Sequence, residues 1–201
     1  MPLKKIILTT TAVTSLGFAG SAYAGEGVYY QFHGGANFIT NDDLDGTVLG
    51  TPFSTDYDAD TGYAIGAALG KRLNDSWRAE AELTYRDNEI GDVGGVPVDG
   101  DVTSTALMFN GYYDFYTESD LEPYVGAGIG YADVEVGGEG EDVFAYQFKA
   151  GVAKPVGTTG GKIGAELNYF ATEDIEFSDG TDTIDATYGN TSLLVFWRNE
   201  F

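Results

Sequence analysis

Residues 77–86, Trp-Arg-Ala-Glu-Ala-Glu-Leu-Thr-Tyr-Arg (WRAEAELTYR), decide the fold of this chain. Trp77, Ala79, Ala81, Leu83 and Tyr85 alternate with Arg78, Glu80, Glu82, Thr84 and Arg86. A strict period of two is the mark of a β-strand, because successive side chains point to opposite faces. One face is apolar with an aromatic at each end, and the other carries charges of both signs. A soluble sandwich would turn the apolar face inward. A closed barrel in a membrane does the reverse, with apolar residues toward lipid and polar ones toward the lumen. The choice rests on the rest of the chain.

Seven further segments repeat the pattern: 28–38, 62–73, 102–116, 124–134, 143–153, 162–170 and 188–201. In the first, Val28, Tyr30, Phe32, Ala36 and Phe38 share the apolar face, opposite Tyr29, Gln31, His33, Gly35 and Asn37. In the fourth, Leu107, Phe109, Tyr113 and Phe115 oppose Ser104, Asn110, Tyr112 and Asp114. The last segment sets Leu193, Val195, Trp197 and Phe201 against Ser192, Leu194, Phe196, Arg198 and Glu200. The inward Leu194 and Phe196 suggest a local plug of apolar packing.

The links between segments are long and short in turn. The short ones, at 74–76, 117–122 and 157–161, have turn chemistry. The long ones hold most of the acids, among them Asp42, Asp43, Asp45, Asp87, Glu89, Asp92, Glu139, Glu141, Asp174 and Glu176, and no Lys or Arg. An even strand number with alternating long loops and short turns is the pattern of an outer-membrane barrel. Aromatic placement agrees. Trp77 and Trp197 fall at the short-turn ends of their strands, whereas Tyr63 and Tyr85 fall at the long-loop ends, as two interfacial girdles require.

The N-terminus is read as a removable export signal. Lys4 and Lys5 precede the mainly apolar run 6–19, and Ala22-Tyr23-Ala24 fits an A-x-A cleavage site. Residues 1–24 are therefore the expected secretory signal peptide and 25–201 the expected barrel, with both barrel termini in the periplasm. The apolar run is short for a spanning helix, which needs about 20 residues, and no long apolar segment follows it. The chain has no cysteine, which rules out a disulfide framework. A formal net charge of −22 argues against nucleic acid as a partner.

The mature chain resembles the small outer-membrane protein β-barrel domain family, which includes OmpA-like and opacity-like barrels within the porin-type transmembrane families. The matching pieces are AALGKRLN, WRAEAELTYR, MFNGYYDF, PYVGAGIGY, FAYQFKAGV and the terminal FWRNEF. The resemblance implies a C-terminal assembly signal formed by Leu193, Val195, Trp197 and Phe201, recognised by the outer-membrane barrel assembly machinery. Asn199 departs from that signal, where the family usually has an apolar residue. No peptidoglycan-binding domain is expected after the last strand.

An eight-stranded barrel is just wide enough to be filled by its own side chains. The inward charges Arg78, Glu80, Glu82, Arg86, Asp114, Lys149, Glu166 and Arg198 are therefore expected to form a lumen ion-pair network, with Glu200 at its edge. Buried charges of mixed sign have to pair, since an isolated one costs several kcal/mol. The glycines at 66, 70, 126, 128 and 130 would leave room for the long Arg and Glu side chains.

Catalytic chemistry finds little to build on. His33 is the one histidine, faces inward, and has no serine in a recognisable arrangement. A hydrogen-bonded lumen histidine is the commoner case. Glu80 and Glu82 lie about 7 Å apart along one strand, but flanking Arg78 and Arg86 favour ion pairing over acid–base work. Asn41 to Gly46, NDDLDG, resembles the start of a calcium loop, yet Pro52 stands at the position that requires glutamate. No cofactor or metal site is assigned.

The sequence thus points to an all-β, eight-stranded antiparallel up-and-down transmembrane β-barrel in a Gram-negative outer membrane. The function expected is a non-enzymatic envelope or surface role in the lipid bilayer, with acidic loops open to lipopolysaccharide or divalent cations. A narrow porin-like channel, an outer-membrane lipid hydrolase and a soluble ligand-binding barrel are the alternatives.

Overall fold

The computed structural model describes residues 27–41, 43–48, 51–59, 61–93, 96–136, 139–158, 160–173, 175–179, 182–186 and 188–201. The export signal and its cleavage residues Ala22 and Ala24 lie outside them. So do the side chains of residues 41–46, and with them the NDDLDG segment.

The described residues form twelve strands, in order β1 (Val28–Asn41), β2 (Asp43–Val48), β3 (Thr51–Ala59), β4 (Gly62–Arg72), β5 (Trp77–Val93) and β6 (Val96–Asp114). The second half is β7 (Glu122–Val136), β8 (Glu139–Val156), β9 (Gly161–Thr172), β10 (Ile175–Asp179), β11 (Asp182–Ala186) and β12 (Gly189–Glu200). Eight of them close into a ring, in the order β5-β4-β1-β12-β9-β8-β7-β6, with β6 returning to β5. Every pairing is antiparallel. Closure leaves no edge strand in the ring, so each ring strand pairs its backbone with a neighbour on both sides.

The ring strands run well past the ends expected from periodicity. β5 pairs with β6 from Trp77↔Tyr113 up to Val93↔Val96, and β7 with β8 from Glu122↔Ala153 up to Val136↔Glu139. Two of the long connections are thus mostly hairpin. The other two supply β2, β3, β10 and β11, which pair in the order β10-β11-β2-β3 and attach to the upper part of β5. These four strands were not foreseen, because their sequences lack a two-residue apolar period.

Side-chain facing follows the alternation. Phe32, Ile65, Leu107, Phe109, Ile129, Phe148, Leu167 and Val195 are exposed on the outside. An apolar surface of that extent is stable only against lipid or a partner. Aromatic pairs band both ends of this surface. At the turn end Trp77 meets Tyr113 at 5.2 Å and Tyr30 meets Trp197 at 5.3 Å. At the loop end Tyr63 meets Tyr85 at 6.2 Å and Tyr131 meets Phe144 at 5.9 Å. The short link at 74–76 is an Asx turn, in which Asn74 Oδ1 accepts from the backbone N–H of Ser76 and of Trp77.

Candidate functional site

Among the described residues, chemistry-bearing side chains converge in the lumen, which is layered from the turn end to the loop end. At the turn-end rim, Arg72 Nη1 bonds Asp114 at 2.9 Å and Arg72 Nη2 bonds Glu200 at 3.1 Å. Lys162 joins Glu122 at 2.8 Å and Glu200 at 3.4 Å. Asp114 is shared with Arg78, whose Nε lies 2.9 Å from it. Arg72, Glu122 and Lys162 escaped the sequence analysis as network members, although strand parity already put Arg72 and Lys162 on the inward face.

Above the rim lies a layer of cations among aromatic rings. The Arg78 guanidinium sits 4.2 Å from the Tyr112 ring centroid and 4.8 Å from that of Tyr124. Arg198 lies 4.8 Å from the Tyr29 ring and 5.1 Å from that of Phe196, and donates to Gln31 Oε1 at 2.7 and 3.0 Å rather than to an acid. Desolvated cation–π contacts of this kind contribute about 2 kcal/mol each. Glu80 forms no ion pair here. It accepts from the hydroxyls of Tyr29 and Tyr112, each at 2.9 Å.

The middle layer holds Lys149, which donates to Glu82 and, at 3.0 Å, to Glu166. Tyr124 donates to Glu166 at 2.8 Å, and Gln147 and Asn110 donate to Glu82 at 3.3 Å. His33 Nε2 lies 3.0 Å from Thr84 Oγ1, which in turn donates to Glu82 at 3.1 Å. The histidine is thus tied to a threonine–glutamate chain, with no serine among its recorded hydrogen-bond partners.

The loop-end layer contains Arg86 over the Phe170 ring at 4.1 Å, with Asn37 bonded to Asn88 at 2.6 Å and to Ser192 at 2.6 Å. Arg86 has no hydrogen-bond partner among the described residues. An apolar cluster of Val102, Ala106, Met108, Ala132, Val134, Ala145, Phe170 and Tyr188 packs around this end.

The lumen glycines make room not for Arg and Glu, as expected, but mostly for rings, with Gly128 against Asn110 and Gly130 against Leu107 and Met108. A Cβ at Gly70 would strike the Tyr29 ring, at Gly126 that of Tyr112, at Gly151 that of Tyr124 and at Gly66 that of His33. The inward Phe196 joins Tyr112, Tyr124 and Ala153 in a buried cluster, so apolar packing does reach the lumen at that level.

Comparison with known proteins accords with this architecture. The family model described as outer membrane protein beta-barrel domain matches residues 10–193. The outer membrane protein PagN of Salmonella typhimurium is 32% identical over 85 residues, covering 35% of this chain and 36% of PagN. The chain therefore spans about a third of the length of that relative. OprG of Pseudomonas aeruginosa superposes with a TM-score of 0.62 at 14% identity, over 89% of this chain and 99% of OprG. Neisserial surface protein A superposes with a TM-score of 0.54 at 19% identity, over 88% of this chain and 100% of that one. At these identities the two structures establish the fold alone.

Proposed function

The chain belongs to the outer membrane protein beta-barrel domain family and resides in the outer membrane, and from that premise we propose that it is a non-enzymatic surface and envelope protein with a closed lumen. The observation that carries this reading is the middle layer. Lys149 on β8 bridges Glu82 on β5 and Glu166 on β9, spanning the interior with one shared cation between two carboxylates. An eight-stranded ring leaves no more than side-chain room inside, and the rings of Tyr29, Tyr112, Tyr124 and Phe196 occupy much of it. The acids of the long connections give the loop end its negative charge, which suits association with divalent cations or the cation-bridged lipopolysaccharide layer. Calcium titration by calorimetry tests that part: saturable heat at the mature protein supports it, and heat no greater than dilution removes it.

Residues 1–24 act in this reading as the export signal, removed before the barrel is inserted by the assembly machinery. N-terminal sequencing of the mature protein should begin at Gly25. Swelling of proteoliposomes in small sugars and amino acids tests the closed lumen. No swelling above empty vesicles is expected, whereas swelling that falls off with solute size would establish the channel alternative. The hydrolase alternative requires His33 as a base; lipid hydrolysis lost in His33→Gln would support it against the present reading.

A further inference from the structure

The loop-end half of the lumen contains a buried guanidinium that no side chain among the described residues hydrogen-bonds. Arg86 is 0% exposed, and its Nε, Nη1 and Nη2 all lack a hydrogen-bond partner. Its guanidinium rests on Phe170, which belongs to the apolar cluster at this end of the barrel. The nearest inward acid on its own strand is Glu82, about 13 Å along the strand and already engaged by Lys149, Thr84, Gln147 and Asn110. Arginine does not shed its proton, and a buried cation without a counter-charge is heavily penalised.

The neighbours of Arg86 extend the pattern. Ser104, directly opposite it in the β5–β6 ladder, is buried with an unpartnered hydroxyl. Asn168, two residues before Phe170 on the same inward face, is buried with an unpartnered Oδ1. That carbonyl suits one guanidinium N–H but brings no negative charge. The cluster of Lys149, Glu82 and Glu166 lies on the turn-end side, and its carboxylate oxygens already accept from Lys149, Thr84, Gln147, Asn110 and Tyr124 rather than from Arg86. The layer therefore offers four adjacent donors and one positive charge to a species that is not part of the chain.

We infer that the loop-end lumen is a binding site for one small monovalent anion, of halide or carboxylate size, held by the Arg86 guanidinium and the Ser104 hydroxyl. The planar fork and its aromatic backing suit such an anion better than a water molecule, which would bring no charge to the guanidinium. Acidic connections at the same end of the barrel oppose anion entry, so the anion is a resident counter-ion rather than a species in transit. The inference stands apart from the surface role and from the conductance of the barrel.

The test uses the folded mature protein in detergent with bromide as the probe and gluconate, too large for the site, as the control at equal ionic strength. Crystals grown in bromide should show an anomalous peak within hydrogen-bond distance of the Arg86 guanidinium. The temperature at which the folded gel mobility is lost should rise by about 2–4 °C in bromide relative to gluconate. Arg86→Met should abolish that rise, and should match or exceed the wild type in gluconate because it removes a buried charge that lacks hydrogen bonds. Should Arg86→Met fail to fold, Ser104→Ala keeps the cation and should raise the bromide concentration for half-maximal effect several-fold. Water alone at Arg86, bromide bound at crystal concentration only, or an equal bromide response in wild type and variants would each overturn the inference.

Discussion

Lys149 and Glu82, separated by three steps around the ring of strands, meet in an ion pair across the lumen. Both side chains are at most 1% exposed, and Glu166 completes the cluster from β9 at 3.0 Å. Removing the cation leaves two buried carboxylates side by side without their bridging counter-charge. Lys149→Met is therefore expected to destabilise the barrel by about 3–5 kcal/mol. Urea titration of the protein in lipid vesicles, read as the folded fraction on unheated gels, measures this. A shift of less than about 1 kcal/mol would mean that solvent reaches the carboxylates.

Gly126 lies against the ring of Tyr112, the aromatic that carries Arg78. A methyl group at that position pushes into a ring fixed by its hydrogen bond to Glu80 and by Tyr124 at 5.7 Å. Gly126→Ala should cost about 1–3 kcal/mol through overpacking. The double variant Gly126→Ala with Tyr112→Phe should not recover this loss, because the ring remains; with Tyr112→Ala the cost of the methyl group should vanish. The comparison is a double-mutant cycle on the same urea midpoints.

Ala81 faces outward between Leu69 and Phe109, both exposed. Arginine there should cost about 2–4 kcal/mol near the middle of the bilayer. A neutral effect on refolding into vesicles would mean that this face of β5 does not meet lipid.

Asp133, above the loop-end aromatic band, is paired in register with Asp142. Partial burial, followed by the negative charges of Asp142, Glu135 and Glu141, holds its carboxyl above the usual aspartate range. The folded state thus binds this proton more tightly than the unfolded one. The contribution to stability is full below the unfolded pKa, near 3.9, and is lost as pH rises through the higher folded value. The β7–β8 hairpin tip should open more readily at pH 7 than at pH 4, after correction for intrinsic exchange rates. Hydrogen exchange measures the opening, and Asp133→Asn should shrink the difference.

Which features the sequence revealed follows from where a two-sided environment exists. Between the aromatic bands each strand has lipid on one side and a packed lumen on the other, so Ala79, Ala81 and Leu83 could be separated from Arg78, Glu80 and Glu82 by parity alone. Beyond the bands the apolar two-residue period fades from the sequence, which hid the extension of β5 through Asp92 and the strands β2, β3, β10 and β11. The partners inside the lumen were harder still. Parity puts Arg198 and Glu80 inward, but contacts across the ring depend on strand stagger. Arg198 takes Gln31, its direct register partner on the neighbouring strand, and Glu80 goes to two tyrosine hydroxyls instead of an arginine. The same stagger leaves Arg86 on Phe170 without an acid.

The closed lumen is tested most directly by single-molecule recordings in planar bilayers. Insertion of the folded protein should leave the membrane current at baseline, and Lys149→Met, which breaks the central ion cluster, should raise the frequency of brief openings. A large, steady conductance from the unmodified protein, scaling with salt concentration, would contradict the account and make this barrel a channel.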